Sequence, residues 1–557
     1  MKKRNSTINP IKKLLPDRVM TMTKIPPPIK DPVLAAIAKK DFANARKILK
    51  KSPPAEIWKQ LSHEAMINFA EGKIQEAEHC LLRAIREPEC GAKPYKNLAS
   101  LLVQRGRHSD ALPHARKAHN LDPQDIETGM MYTNCLLDLA KSDDVLEVCE
   151  HFLKINPSNR MFRLAKASAL RSLGKSNESF LYLDDIAKDH PDDHVVMRMQ
   201  ADIIADRDSK SGIVLYDHAL QKTIEKTGHT DIPMCWNMAL HLLRTRDFER
   251  GWKYWELGFH KEVGTMGRNL PGLLKIAKRA DHLDKIDTNK WTLISVEQGI
   301  GDQVLFLSAM DQAIEEFKKV IFVCESRIAP IIRRSFPEIE IAQPGIIEAW
   351  NDCHLPNNGF IPLGSILPRY RPTLESFTER RRPFLQVDGD LYAQYHAQLR
   401  QLAKGRPIVG ISWKGGYWEN QKRNKALEIE NWLPIFEQGA LCVNLQYGET
   451  SKEQAFITER GYEMLNFPQL DFKKDLDHWL ALSAACDGII SVSTALVHFA
   501  GACGQKVAVI MPEPQGPWIL GTDDQWSIAY PNVLLFRRHQ DEHVRHLVDR
   551  VARVIVS

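Results

Sequence analysis

Small residues at Gly72, Gly106, Ala140 and Gly174 recur every 34 positions, and three further columns keep that period: Ala77 with Ala111, Ala84 with Ala118, and Pro123 with Pro157 and Pro191. Each column has a mechanical meaning. A small residue at a helix crossing lets two helices approach, and a proline after the second helix stops it. A helix-turn-helix unit of this length cannot bury its apolar face alone, so successive units stack into a solenoid with a concave side. Two columns are worn, with Val145 and Phe152 at small positions, and Asp208 stands in place of a glycine. A last unit runs from Trp236 to Glu256; its period has slipped, Ile213 to Gly251 being 38 positions, and it is rich in aromatic residues. Terminal repeats depart from consensus because one face must seal the stack or dock on the next domain.

Period and column chemistry resemble the tetratricopeptide repeat, with its small, small, large and proline positions matched by Gly106, Ala111, Ala118 and Pro123. The concave side of such an array is expected to bind a protein segment, the alternative being a passive spacer.

At 557 residues the chain exceeds what one core can serve, and 43% hydrophobic with 26% charged residues is ordinary for a globular protein. A net charge of +5 spread over that length gives no ground for a nucleic-acid role. Part of the excess is local, because Lys2, Lys3, Arg4, Lys12, Lys13, Arg18, Lys24 and Lys30 face only Asp17 before residue 31. That arm reads either as a solvated tail or as a contact for an acidic partner. No apolar run reaches the roughly 18 residues that span a bilayer, and no secretory signal opens the chain, so a cytoplasmic protein is expected. The 10 cysteines are scattered without a C-x-x-C pair and read as reduced core residues.

From Trp291 onward the helical pattern gives way to short apolar runs alternating with amphipathic segments. Strands are expected at 291–296, 320–324, 339–341 and 360–361, with a helix over 302–319, and a second set of strands at 407–413, 441–445, 488–492, 506–511 and 533–536. Such alternation implies two doubly wound parallel sheets, whose ligands bind beyond the strand carboxyl ends. The expected organisation is an arm at 1–31, a solenoid at 32–262, a first α/β lobe at 263–385, a linker at 386–404 and a second lobe at 405–557.

Two turns carry the candidate chemistry. In the first lobe, Glu297-Gln298-Gly299-Ile300-Gly301-Asp302 follows the leading strand; Gly301 allows close backbone approach, and Asp302 either caps its helix or serves as a base. In the second lobe, Ser493 and Thr494 open a helix whose free N–H groups suit a phosphate, while His498 either lines the site or is a satisfied core histidine. Lys414, Arg423 and Lys425 supply cations beside the same strand ends. Other patterns are discounted as metal sites: Asp388-Gly389-Asp390, Asp475-Leu476-Asp477, and the His539, His543 and His546 set read as one helix face.

A repeat array, a Gly-Trp-x-x-Tyr-Trp last unit, a Glu-Gln-Gly-x-Gly-Asp turn and a Ser-Val-x-Thr-x-x-x-His-x-Ala-Gly turn, in that order, resemble bacterial tetratricopeptide-repeat glycosyltransferases over about 55 to 557. Their catalytic half is similar to the heptosyltransferases and more distantly to O-linked N-acetylglucosamine transferase. The resemblance implies a GT-B fold, no obligate metal and no cofactor beyond the nucleotide-sugar co-substrate. It also implies that Asp302 is the base, Lys425 a phosphate-contacting cation, and Thr494 and His498 the donor-phosphate turn, with Gln446 and Tyr447 in the loop after a strand. Some members resemble flagellin-modifying enzymes, so the expected partners are a nucleotide-sugar and a protein acceptor. The chain departs from the pattern at Ser493, where many relatives carry Asp, and at Ala529, where Trp is usual. Losing that charge suits a different sugar or reduced activity, and leaves open a non-catalytic adaptor with a degenerate sugar-nucleotide module.

Overall fold

The computed structural model describes residues 31–51, 54–88, 90–264, 267–268, 279–280, 283–343, 359–415, 426–511, 516–539 and 542–556. The chain divides after Gln200 into two compact units. Among the described residues no helix is long and apolar enough to cross a membrane.

The first unit is a run of antiparallel helices, among them Ile57–Ala70, Ile74–Ala84, Ala92–Gln104, His108–Leu121, Ile126–Asp138, Ser142–Ile155, Arg160–Ser172 and Ser176–Asp189. Its glycine column works differently from the helix-crossing role that the spacing invited. Gly72, Gly106 and Gly174 have φ of 82°, 71° and 77°, and Ala140, in the same column, has φ of 55°. A Cβ at any of the three glycines would meet nothing within 4 Å. The column instead serves the left-handed residue that ends each first helix. There the next amide reaches back to the fifth residue before it, as Arg107 N does to Leu102 O (2.9 Å) and Lys175 N to Leu170 O (2.9 Å). The true crossing positions are the alanines, since Ala77, Ala84, Ala111 and Ala118 are fully buried.

Phe152, an apparent defect at a small position, is compensated across the helix pair. A Cβ on Gly129 would lie 2.2 Å from Phe152 Cε2, so glycine there makes the space that the ring fills, stacked on Phe162 at 4.4 Å. A further column keeps the same period: Asp125, Asn159 and Asp193 each stand two residues after the prolines and accept backbone amides of the following helix as N-caps. Proline ends one unit and the cap begins the next.

The second unit opens with helix Ser209–Thr227 and the helical hairpin Ile232–Arg244 and Phe248–Trp255. Two parallel sheets follow. The first holds β1 (Thr292–Ser295), β2 (Val320–Val323), β3 (Glu340–Ala342) and β4 (Phe360–Pro362) in the order β3-β2-β1-β4. The second holds β5 (Ile408–Ser412), β6 (Leu441–Asn444), β7 (Met464–Leu465), β8 (Gly488–Val492), β9 (Val507–Met511) and β10 (Val533–Arg537) in the order β10-β9-β8-β5-β6-β7. Strands β1, β2, β5, β6, β8 and β9 are buried along their whole length, as near-continuous apolar runs covered on both faces require. Both lobes are doubly wound, and both reverse direction beside their first strand, β1 against β4 and β5 against β8. Those reversals are where a crevice opens at the carboxyl ends of the strands. The expected helix over 302–319 is instead two, Ile300–Phe306 and Met310–Phe317, joined by a tighter 3₁₀ turn at Leu307–Ala309.

The hairpin is built into this α/β body. Trp252 Nε1 donates to Arg371 O at 2.8 Å and Trp255 Nε1 to Gly364 O at 2.9 Å, both in the first lobe. Arg246, at the left-handed turn between the two helices, donates to Trp518 O, Ile519 O and Asp524 in the second lobe. Trp518 closes the cluster, edge-on to Trp252 at 5.7 Å. Aromatic residues carry most of this joint because each buries about 150–250 Å² and still satisfies its own N–H. Helix Gly389–Ala403, in the segment read as a linker, is capped by Asp388, which accepts Asp390 N and Leu391 N, and buries Tyr395, Leu399 and Ala403.

Candidate active site

The two lobes meet at the turns after β1 and β8. Gly299 is the N-cap of helix Ile300–Phe306, so Asp302 lies in its first turn rather than at the cap. A Cβ on Gly301 would stand 3.0 Å from His498 Cδ2 and 3.5 Å from Ala495 Cα, which places helix Ala495–Ala502 of the second lobe directly on the Gly301 backbone. Glycine here permits that close approach without displacing the His498 ring.

His498 Nδ1 lies 2.9 Å from the hydroxyl of Tyr530. Tyr530 is buried, and burial first, then the negative charge of Asp302, pushes its hydroxyl well above the ordinary tyrosine range. Burial thus keeps the phenol protonated, and one proton bridges its oxygen and His498 Nδ1, while Nε2 is the nitrogen nearer the Gly301 turn. Asp302, His498 and Tyr530 form one constellation drawn from both lobes. No spacing in the sequence relates Tyr530 to the other two, so only the fold brings it to the site.

In the turn after β8, Thr494 is extended (φ −125°, ψ 175°) and makes no side-chain cap bond to helix Ala495–Ala502. Its Oγ1 lies 3.1 Å from Ser491 Oγ, at the end of β8, and Val497 N donates to Thr494 O at 3.2 Å in the opening turn of the helix. Ser493 precedes it, half-buried. Gly415, in the turn after β5, packs against Thr494, since a Cβ there would meet Thr494 Cγ2 at 2.8 Å.

Gln446 and Lys414 are engaged within the lobe itself. Gln446 Oε1 accepts from Ser412 Oγ (3.1 Å), Trp413 N (3.0 Å) and Lys414 N (2.9 Å), so it ties the end of β6 to the end of β5. Lys414 Nζ donates to Glu449 O at 2.9 Å and pairs with Glu453, whose carboxyl is pushed up by burial but held below its usual range on balance by hydrogen bonds and the Lys414 charge. Tyr447 follows, with Lys473 Nζ 5.6 Å from its ring centroid. Lys425 and Arg423 lie outside the described residues.

The discounted patterns find structural uses. Asp388 is the cap described above, and Asp477 pairs with Arg334 across the lobes. His539 and His543 precede helix Val544–Val556, so the three histidines do not share one helix face. No group of three or more His, Cys, Asp or Glu able to hold a metal occurs among the described residues.

The fold and site define a helical repeat array followed by a two-lobed, doubly wound α/β module. Comparison with known proteins agrees with the first part, since the tetratricopeptide repeat family matches residues 72–216. Over 439 residues the chain is 28% identical to Protein FlbA of Caulobacter vibrioides, covering 75% of this chain and 70% of that protein. Among solved structures, a tetratricopeptide repeat protein from Parabacteroides merdae aligns at 18% identity and TM-score 0.35, over 42% of this chain and 92% of its own. A glycosyl transferase family 9 protein from Veillonella parvula aligns at 8% identity and TM-score 0.33, over 49% of this chain and 93% of its own.

Proposed function

We propose that this protein is a cytoplasmic GT-B glycosyltransferase, independent of a metal, which moves a sugar from a nucleotide-activated donor to a hydroxyl of a protein acceptor bound by the repeat array. The observation that carries the reading is the packing of the Gly301-Asp302 turn on His498, itself bonded to Tyr530, where both sheets reverse. An acceptor hydroxyl gives its proton to the Asp302 carboxylate while its oxygen bonds to the anomeric carbon. The bond from that carbon to the donor phosphate breaks, and the departing phosphate takes up the electron pair. The amides at the start of helix Ala495–Ala502, with the Ser493 and Thr494 hydroxyls, receive that charge, beside the His498 ring. Lys425, assigned by resemblance, offsets the same charge. Flagellin, the acceptor of some similar enzymes, is the first acceptor to try.

The test is Asp302→Asn, with transfer and donor affinity measured side by side. Transfer should fall by roughly 10²–10⁴ at unchanged donor affinity. Unchanged transfer removes Asp302 as the base. The pairing of Lys414 with Glu453 favours a second reading, a tetratricopeptide adaptor with a degenerate α/β module. Thermal-shift screening against a panel of nucleotide-sugars separates the two, because the adaptor is stabilised by none of them.

A further inference from the structure

The turn that carries Asp302 is held in a conformation its sequence does not favour. Gln298 has φ of 58°, a left-handed setting that a residue with a side chain keeps only where its surroundings force it. Restraints act on both sides. After it, Gln303 Nε2 donates to Gln298 O at 3.2 Å. Before it, the fully buried Glu297 accepts Arg268 Nε at 2.9 Å, Gly364 N at 2.7 Å and the Arg268 Nη2.

Arg268 is in turn fixed by the closing hairpin. Its Nη1 donates to Glu256 Oε1 at 2.8 Å, its Nη2 to Ser365 Oγ at 3.0 Å, and its guanidinium lies 4.6 Å from the Trp255 ring centroid and 4.1 Å from that of Phe259. Arg279 Nη1 donates to the second Glu256 oxygen at 2.8 Å. Burial alone would lower Arg268 and raise Glu256, yet the charges of Glu297 and Glu256 hold Arg268 above its ordinary value, and those of Arg268 and Arg279 hold Glu256 below its own. A buried ion pair adds little net stability, because desolvation offsets its attraction; what it does well is fix one register. Gly364 shows how tight that register is, since a Cβ there would stand 2.7 Å from Glu297 Oε1 and 3.0 Å from Arg268 Nη2.

We infer that the Arg268–Glu297 pair, anchored by Glu256 and Trp255 of the closing hairpin, is the positioning device that sets Asp302 against His498. What Asp302 then does rests on the transferase reading; that the pair holds the turn does not. Glu297, Arg268 and Gln303 are positioning residues, acting through Asp302. The last helical hairpin, formally a repeat, thereby belongs to the reaction site.

The experiment uses the full chain with Glu297→Gln, Gln303→Met and Asp302→Asn, reading amide hydrogen exchange over residues 296–306 and the kcat and donor KM of transfer. Glu297→Gln should speed exchange in that segment at least tenfold and lower kcat at least tenfold, with donor KM within twofold. Where Glu297→Gln does not fold, Gln303→Met loosens the same turn without disturbing a buried charge and should give the same pattern more weakly. Asp302→Asn should lose transfer with exchange unchanged. Unaltered exchange in the folded Glu297 or Gln303 variants overturns the inference, and so does faster exchange at full kcat. A wild-type chain that transfers from no donor overturns the transferase reading, while the exchange rates still decide whether the pair holds the turn.

Discussion

Replacing Gly301 by alanine probes the joint between the lobes most directly. The new methyl carbon would stand 3.0 Å from His498 Cδ2. Carbon pairs rest at about 3.5–4.0 Å, so roughly 0.5 Å or more must open between the turn and helix Ala495–Ala502. The His498 ring cannot swing aside cheaply, because its Nδ1 is held by the Tyr530 hydroxyl at 2.9 Å, and breaking such a bond costs about 0.5–1.5 kcal/mol. Overpacking of this kind destabilises by about 1–3 kcal/mol. A displacement of 1 Å at a reaction site lowers turnover about 10²-fold, so half of that should cost about tenfold in kcat. Denaturant unfolding reads the first quantity and steady-state transfer the second. The double variant with His498→Ala supplies the control: with the ring gone, Gly301→Ala should add less than about 0.5 kcal/mol to the loss from His498→Ala alone. Full stability and full kcat in Gly301→Ala would mean that the two turns do not form one site.

Tyr530 should leave a mark on alkaline stability. Its raised pKa means the native state keeps a proton that the unfolded chain loses near pH 10, so its contribution is complete below that pH and fades as pH rises further. Tyr530→Phe should flatten the alkaline limb of the stability profile, and a profile unchanged by it would deny the burial. Burial pushes the thiols of Cys149, Cys235 and Cys324 up to about 12, so an alkylating reagent at pH 8 should leave all three unmodified in native protein and label them after unfolding, by peptide mass spectrometry. A chain truncated to 263–557 lacks Trp252, Trp255 and Glu256 and should unfold without a cooperative transition. One spanning 201–557 should keep it, and equal cooperativity in the two would contradict the hairpin's place in the α/β body.

Much of the fold was legible from local pattern. The period of 34 marks repeating helix pairs, and nine of the ten strands among the described residues fall within a residue or two of the apolar runs expected for them. β7 was missed because Met464 and Leu465 are only two residues long, too short for any period to register. The glycine column was seen but its cause was mistaken, since spacing alone does not distinguish a crossing from a left-handed turn; Ala140 at φ 55° does.

By itself the sequence determined the repeat, the two parallel sheets and the two turns with Asp302 and Thr494, because each is written in contiguous residues with a period or a strand-turn-helix order. Only the tertiary structure decided that Tyr530 sits on His498, that Gly301 lies beneath the second lobe's helix, that Arg268 clamps Glu297, and that Glu256 holds Arg268. Those partners are 32, roughly 200, 29 and 12 positions apart, contacts fixed by the order of strands in two sheets and by which side chains share a buried volume. Neither leaves a spacing for a linear reading to find.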